Sequence, residues 1–143
     1  MAPAQQKIVR RLHESDESLR RKRVLVVDDD VRNIFALSSV LERRGMEVLT
    51  ASTGSEAIAT LEFTSDVAIV LMDIMMPEMD GYQAMRAIRA MPQFAGLPII
   101  ALTAKAMKGD RERCLEAGAS DYIAKPVDSD RLLRILGAWL NGS

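Results

Sequence analysis

Cysteine is almost absent: Cys114 stands alone in 143 residues. No disulfide can close within the chain, no metal site of several thiolates exists, and nothing points to an oxidising compartment. Aromatic residues make up only 4%, so Val, Ile, Leu, Met and Ala must fill the interior, a set that suits helices packed on a sheet. No apolar run approaches the roughly 20 residues of a membrane span, and residues 1–23 are too polar for a signal peptide. A soluble, cytoplasmic domain is therefore expected.

What is present is enough apolar material for one core. At 143 residues and 48% hydrophobic content, the chain has the size of one domain and hardly of two. The net charge of −1 hides an asymmetry. Residues 1–23 carry seven Lys or Arg against three acids, and residues 24–143 carry twelve against seventeen. The basic stretch Arg20, Arg21, Lys22 and Arg23 has no interleaved aromatics, so it reads as a solvated linker with no nucleic-acid role. We divide the chain into a linker over 1–22, with a helix expected over 3–19 from Ile8, Leu12 and Leu19 on one face, and a domain over 23–143.

From Arg23 onward, short apolar runs alternate with amphipathic stretches. The runs are Val24–Val27, Glu47–Ala51, Val67–Met72, Leu97–Leu102 and Tyr122–Ala124. Four are nearly continuous apolar segments, as in parallel strands covered on both faces. The fifth, Glu47–Ala51, is more polar and should be an edge. The helical patterns place Ile34, Leu37 and Leu41 on one stripe, then Ala57, Ile58 and Leu61, then Met85 and Ile88. A fourth runs from Asp110 through Leu115 to Gly118, and a fifth carries Leu132, Ile135, Leu136 and Trp139. Five βα units with short loops imply right-handed crossovers and a parallel sheet with helices on both faces, an α/β doubly wound fold.

In such sheets ligands bind at the carboxyl ends of the strands. The first strand ends in Asp28, Asp29 and Asp30, the third in Asp73, the fourth in Thr103, and the fifth in Lys125 followed by Pro126. Crowded carboxylates raise one another's pKa unless a cation neutralises them, and oxygen ligands of this kind favour Mg²⁺. Asp30 is better placed to cap the following helix. Asp73, behind a six-residue apolar strand, is the candidate nucleophile toward phosphorus. Phosphoryl transfer needs mainly positioning and charge neutralisation, which a metal, the Lys125 ammonium and the Thr103 hydroxyl can supply together.

The strings VLVVDDD, LMDIMMPEMDGY, IIALTA and DYIAKP, in that order, resemble the receiver domain of two-component response regulators over about residues 23–140. The resemblance implies a flavodoxin-like sheet of order 2-1-3-4-5 and an aspartyl phosphate at Asp73. It also implies Mg²⁺, or Mn²⁺, held by Asp29, Asp73 and the backbone carbonyl of Met75, with Asp28 acting through a water. Thr103 and Lys125 would contact the phosphoryl oxygens, Lys125-Pro126 would be a cis peptide, and Thr103 with Tyr122 would switch the surface of the fourth and fifth helices. Asp73 would gain and lose its phosphoryl group by self-catalysis rather than by enzymatic turnover. The phosphodonor would be a histidine kinase or a histidine phosphotransfer protein. The wording is similar to receivers fused to hybrid sensor histidine kinases, so the chain is expected to come from such a protein or to stand alone as a single-domain regulator.

His13, the only histidine, is far from the acids in sequence and is not expected to donate phosphate, so the partner must supply that histidine. Cys114 reads as a small buried apolar residue, and the methionines of MDIMMP as packing. A rival reading is a haloacid-dehalogenase-like phosphatase using Asp28 and Asp30. Such enzymes need a further acidic pair at a strand end after the lysine, which Asp128 and Asp130 at a helix start do not supply, and Asp73 would have no role. A flavin-binding domain of the same fold is disfavoured too, since Asp28 to Asp30 would repel a phosphate without a metal.

Overall fold

A computed structural model describes residues 19–76, 79–104 and 108–140. Its elements are β1 (Arg23–Val27), α1 (Val31–Arg43), β2 (Glu47–Ala51), α2 (Gly54–Phe63), β3 (Val67–Asp73) and α3 (Gly81–Arg89). A 3₁₀ turn (Pro92–Phe94) follows, then β4 (Ile99–Thr103), α4 (Lys108–Ala117), β5 (Asp121–Ala124) and α5 (Ser129–Leu140). All neighbouring strands run parallel, in the order β2-β1-β3-β4-β5. The expected flavodoxin-like topology is therefore the one observed, with the polar β2 at an edge.

The apolar continuity of the strands has a direct cause. Along β1, Val24 and Val26 face one layer while Leu25 and Val27 face the other. The same alternation splits Ile69 and Leu71 from Val70 and Met72 in β3, and Ile100 and Leu102 from Ile99 and Ala101 in β4. Because side chains alternate across a strand, a strand with helices on both sides must be apolar at every position. Leu37 and Leu41 of α1 and Leu132 and Leu136 of α5 cover one face. The other is covered by Ala57 and Leu61 of α2, Tyr82, Ala84, Met85 and Ile88 of α3, and Cys114 and Ala117 of α4.

Helix starts follow local chemistry. The Asp30 carboxylate accepts from the Arg32 N–H at 2.9 Å, Thr53 caps α2 by accepting from Glu56, and Asp80 with Gln83 forms a reciprocal capping box on α3. Three details differ from the sequence reading. Strand β4 begins at Ile99 rather than Leu97, because Pro98 has no N–H for the ladder, although its carbonyl accepts from Val70 at 3.0 Å. Leu115 is exposed, and the buried side of α4 is carried by Cys114 and Ala117. Trp139, expected on the apolar stripe of α5, is 40% exposed and its indole N–H donates to Asp121 at 3.3 Å.

The helix expected over residues 3–19 lies outside the described residues apart from Leu19, which is buried in the layer under α1 and α5. His13 lies outside them as well. Among the described residues no helix is long and apolar enough to cross a membrane.

One glycine sets the geometry near the carboxyl edge. A Cβ on Gly81 would collide with the backbone carbonyl of Asp73 and come within 2.7 Å of the Ile74 Cα, so only glycine lets α3 start against the end of β3. Gly81→Ala is expected to cost about 1–3 kcal/mol, the usual penalty of overpacking. Gly96→Ala, where an added Cβ meets nothing within 4 Å, should stay within about 0.5 kcal/mol of the parent. Thermal unfolding of the two variants measures the difference, and equal stability would contradict the close approach.

Candidate functional site

The strand order brings the acidic ends of β1 and β3 side by side at the point where the winding reverses, the usual ligand position in open α/β sheets. Asp28 follows β1 and is fully buried, and Asp73 ends β3 at 2% exposure. Asp29 is exposed. One carboxylate oxygen from each of the three lies within 4.8 Å of the others. Lys125 reaches the cluster from the end of β5, with its Nζ 3.0 Å from Asp73 Oδ1 and 3.4 Å from Asp28 Oδ2. Its peptide to Pro126 is cis, and its N–H donates to the Thr103 carbonyl at 2.7 Å. Thr103, the last residue of β4, is buried.

Local hydrogen bonds hold the acids in place. Asp28 Oδ1 accepts from the Asp30 N–H at 2.9 Å, and Asp73 Oδ1 accepts from the Met75 N–H at 3.3 Å. The Asn33 amide donates to Asp28 Oδ2 at 3.4 Å. Asn33 was missed in the sequence, where its only signal is a polar position one turn inside α1, five residues after Asp28. Asp30 stands apart from the cluster: its carboxylate pairs with the Arg32 side chain and caps α1, and these hydrogen bonds hold its pKa below the usual value.

Asp73 is the electrostatic focus. Burial raises its pKa, the Asp28 charge adds to this, and the hydrogen bond from Lys125 opposes it, leaving a value of about 6. For Lys125, burial alone would lower the pKa, but the hydrogen bond to Asp73 and the charges of Asp73 and Asp28 carry it above its ordinary value. The lysine is therefore a permanent ammonium. Three carboxylates against one ammonium leave a formal −2. The donor set is all oxygen and one member is exposed, which fits a hard divalent cation.

The remaining residues fall as follows. Tyr122 lies in β5 opposite Ala101, half-buried, with the Arg111 guanidinium 5.6 Å from its ring centre. Cys114 is fully buried, as expected. Of the MDIMMP methionines, Met72 and Met76 are buried, whereas Met75 is 70% exposed, so packing does not account for it. Asp128 accepts from the Asp130 N–H at 3.2 Å at the start of α5, which gives that pair a local structural use.

The raised Asp73 pKa has a signed consequence for stability. The fold favours the protonated carboxyl, so ionisation opposes folding fully above about pH 6, and the effect vanishes below the ordinary carboxylate value of 3.8. Without divalent ions, Asp73→Asn is expected to stabilise the domain at about pH 7.5 by on the order of 1–3 kcal/mol, and not at about pH 3.5. Thermal unfolding in chelator measures this. A less stable Asn variant at the higher pH would contradict the electrostatics.

Comparison with known proteins agrees with this geometry. Residues 24–137 match the family model of the response regulator receiver domain. The signal transduction histidine-protein kinase BarA of Escherichia coli is 37% identical over 129 residues, 90% of this chain but 14% of that protein. The chain thus spans about a seventh of that relative. PilH of Pseudomonas aeruginosa is 37% identical over 84% of this chain and 98% of its own. The crystal structure of the receiver domain of sensor histidine kinase PA1611 from P. aeruginosa, with magnesium coordinated in its active-site cleft, superposes with a TM-score of 0.79. It is 39% identical, over 85% of this chain and 99% of that one. The match lies with receivers and not with phosphatases of the dehalogenase type, and the chain belongs to the response regulator receiver domain family.

Proposed function

We propose that Asp73 is the phosphoacceptor of a two-component phosphorelay, with the phosphoryl group supplied by a phosphohistidine on a cytoplasmic histidine kinase or histidine phosphotransfer protein. The observation that carries this reading is the Lys125 ammonium 3.0 Å from Asp73 Oδ1, inside a cluster of three carboxylates. Asp29, Asp73 and the Met75 carbonyl are the groups to hold Mg²⁺ or Mn²⁺, with Asp28 behind a water. When bound, the cation neutralises the charge that the acids and the phosphoryl oxygens would otherwise concentrate there.

The transfer uses few protein groups. The Asp73 carboxylate forms a bond to phosphorus as the phosphorus–nitrogen bond of the donor breaks, and the leaving imidazole takes up a proton. Lys125 is placed to balance charge on the phosphoryl oxygens and Thr103 to donate a hydrogen bond to them. A Thr103 hydroxyl drawn toward phosphate opens room beside β4, into which the Tyr122 ring turns, and the surface of α4 and α5 changes with it. A 1:99 to 99:1 shift needs about 5.5 kcal/mol of differential binding. One charge-assisted hydrogen bond supplies roughly 1.5–3 kcal/mol, so Thr103 cannot act alone and Lys125 must contribute.

Beryllofluoride, a phosphoryl mimic, tests this. Its binding is expected to require Mg²⁺ and to be lost in Asp29→Ala, while Asp30→Ala keeps it and loses only the cap of α1. Equal loss in both variants would remove the distinction between ligand and cap. Thr103→Ala should still bind beryllofluoride but lose most of the amide NMR shift around Tyr122. An unchanged response there, or shifts confined to the acids in the parent protein, would contradict the switch.

A further inference from the structure

Helix α4 is held differently from its neighbours. Of its side chains in the described residues, only Cys114 and Ala117 are buried, so a thiol and a methyl are its apolar anchorage. Its C-terminal end is fixed by polar contacts. Arg89, from α3, donates through Nε to the Gly118 carbonyl at 2.9 Å and through its terminal nitrogens to the Phe94 carbonyl at 2.7 Å and the Ser120 hydroxyl at 3.3 Å. Gly118 itself has φ +116°, the turn that ends the helix.

The middle of the helix is held by arginine–aromatic stacking on both flanks. Arg113 places its guanidinium 4.6 Å from the centre of the Tyr82 ring in α3, and Arg111 places its own 5.6 Å from that of Tyr122 in β5. Both distances lie within the range of cation–π attraction. Beside the Arg113–Tyr82 stack a cleft of about 610 Å³ opens between α3 and α4, lined by Ile74, Asp80, Tyr82, Thr103, Asp110 and Arg113. The front of α4 therefore has room to move, and Thr103, which closes the preceding strand, borders that room.

We infer that α4 is a lever pivoting at Gly118 on Arg89, and that Arg111 and Arg113 are positioning residues whose stacks on Tyr122 and Tyr82 hold it in the resting state. The inference rests on the proposed switch. If Tyr122 turns inward it leaves Arg111, and if α4 follows Thr103 the Arg113–Tyr82 stack must slide or part. Each stack then opposes activation and lowers the apparent affinity for the phosphoryl mimic by the fraction of molecules it holds at rest. An exposed cation–π contact of ordinary strength corresponds to about two- to fivefold in an equilibrium constant.

The test is titration with beryllofluoride at saturating Mg²⁺, using Arg111→Gln, Arg113→Gln and the double variant. Both arginines are exposed, so the fold should tolerate the changes. Each single variant is expected to bind beryllofluoride about two- to fivefold more tightly and the double variant by roughly the product. Mg²⁺ affinity should be unchanged, and α4 amide resonances of the unliganded variants should lie displaced along the line joining the free and bound positions of the parent. Unchanged or weaker beryllofluoride binding in both variants, with a normal parent response, would overturn the lever while leaving the switch intact. A parent that gives no beryllofluoride response would overturn both.

Discussion

A single ammonium bridging two buried carboxylates is the constraint around which the domain is arranged. Asp28 and Asp73 are placed side by side because β1 and β3 are neighbours in the sheet, and both are almost wholly withdrawn from water. Two such charges could not persist there unaided. Lys125 answers them from the far side of β4, at 3.4 and 3.0 Å, and the backbone around it is fixed by its hydrogen bond to Thr103. The compensation is incomplete, and the residual negative charge is what a bound divalent cation would neutralise. A fully balanced site would be more stable and would have less reason to respond.

The rest of the fold divides into a frame and a moving part. Strands β1, β3 and β4 are buried on both faces, and α3 contributes Tyr82, Ala84, Met85 and Ile88 to one core layer. Against that frame α4 offers little apolar surface and depends on polar and stacking contacts at its margins. Contacts of this kind are individually weak compared with a packed core face. The element next to Thr103 is thus the one that a chemical event at Asp73 can shift at least cost.

Much of this was legible in the residues. The period of the strands, the cap at Asp30 and the acids at strand ends are local signals that fold into the places they indicate. The cluster was legible because β1 and β3 end in acids, and parallel strands deliver their ends to one edge. What was hidden depends on contacts remote in sequence. Arg89 looks like any basic residue in a helix until Gly118 and Ser120 on one side and Phe94 and Ala95 on the other give it four oxygen partners. Arg111 and Arg113 look like a solvated face until Tyr82 and Tyr122 arrive beside them from two other elements. Asn33 gains its meaning only from the direction in which α1 leaves β1. Leu115 and Trp139 misled the helix reading because α4 and α5 each bury a narrower stripe than their apolar content suggests.

Whether Asp73 forms the acyl phosphate is decided by covalent mass. The whole protein, incubated with Mg²⁺ and a small acyl phosphate donor and weighed intact, should gain the mass of one phosphoryl group per chain. Hydroxylamine, which cleaves acyl phosphates, should remove it, and Asp73→Asn should not acquire it. A label that survives hydroxylamine, or that persists at the same level in Asp73→Asn, would place the chemistry on another residue and contradict the account.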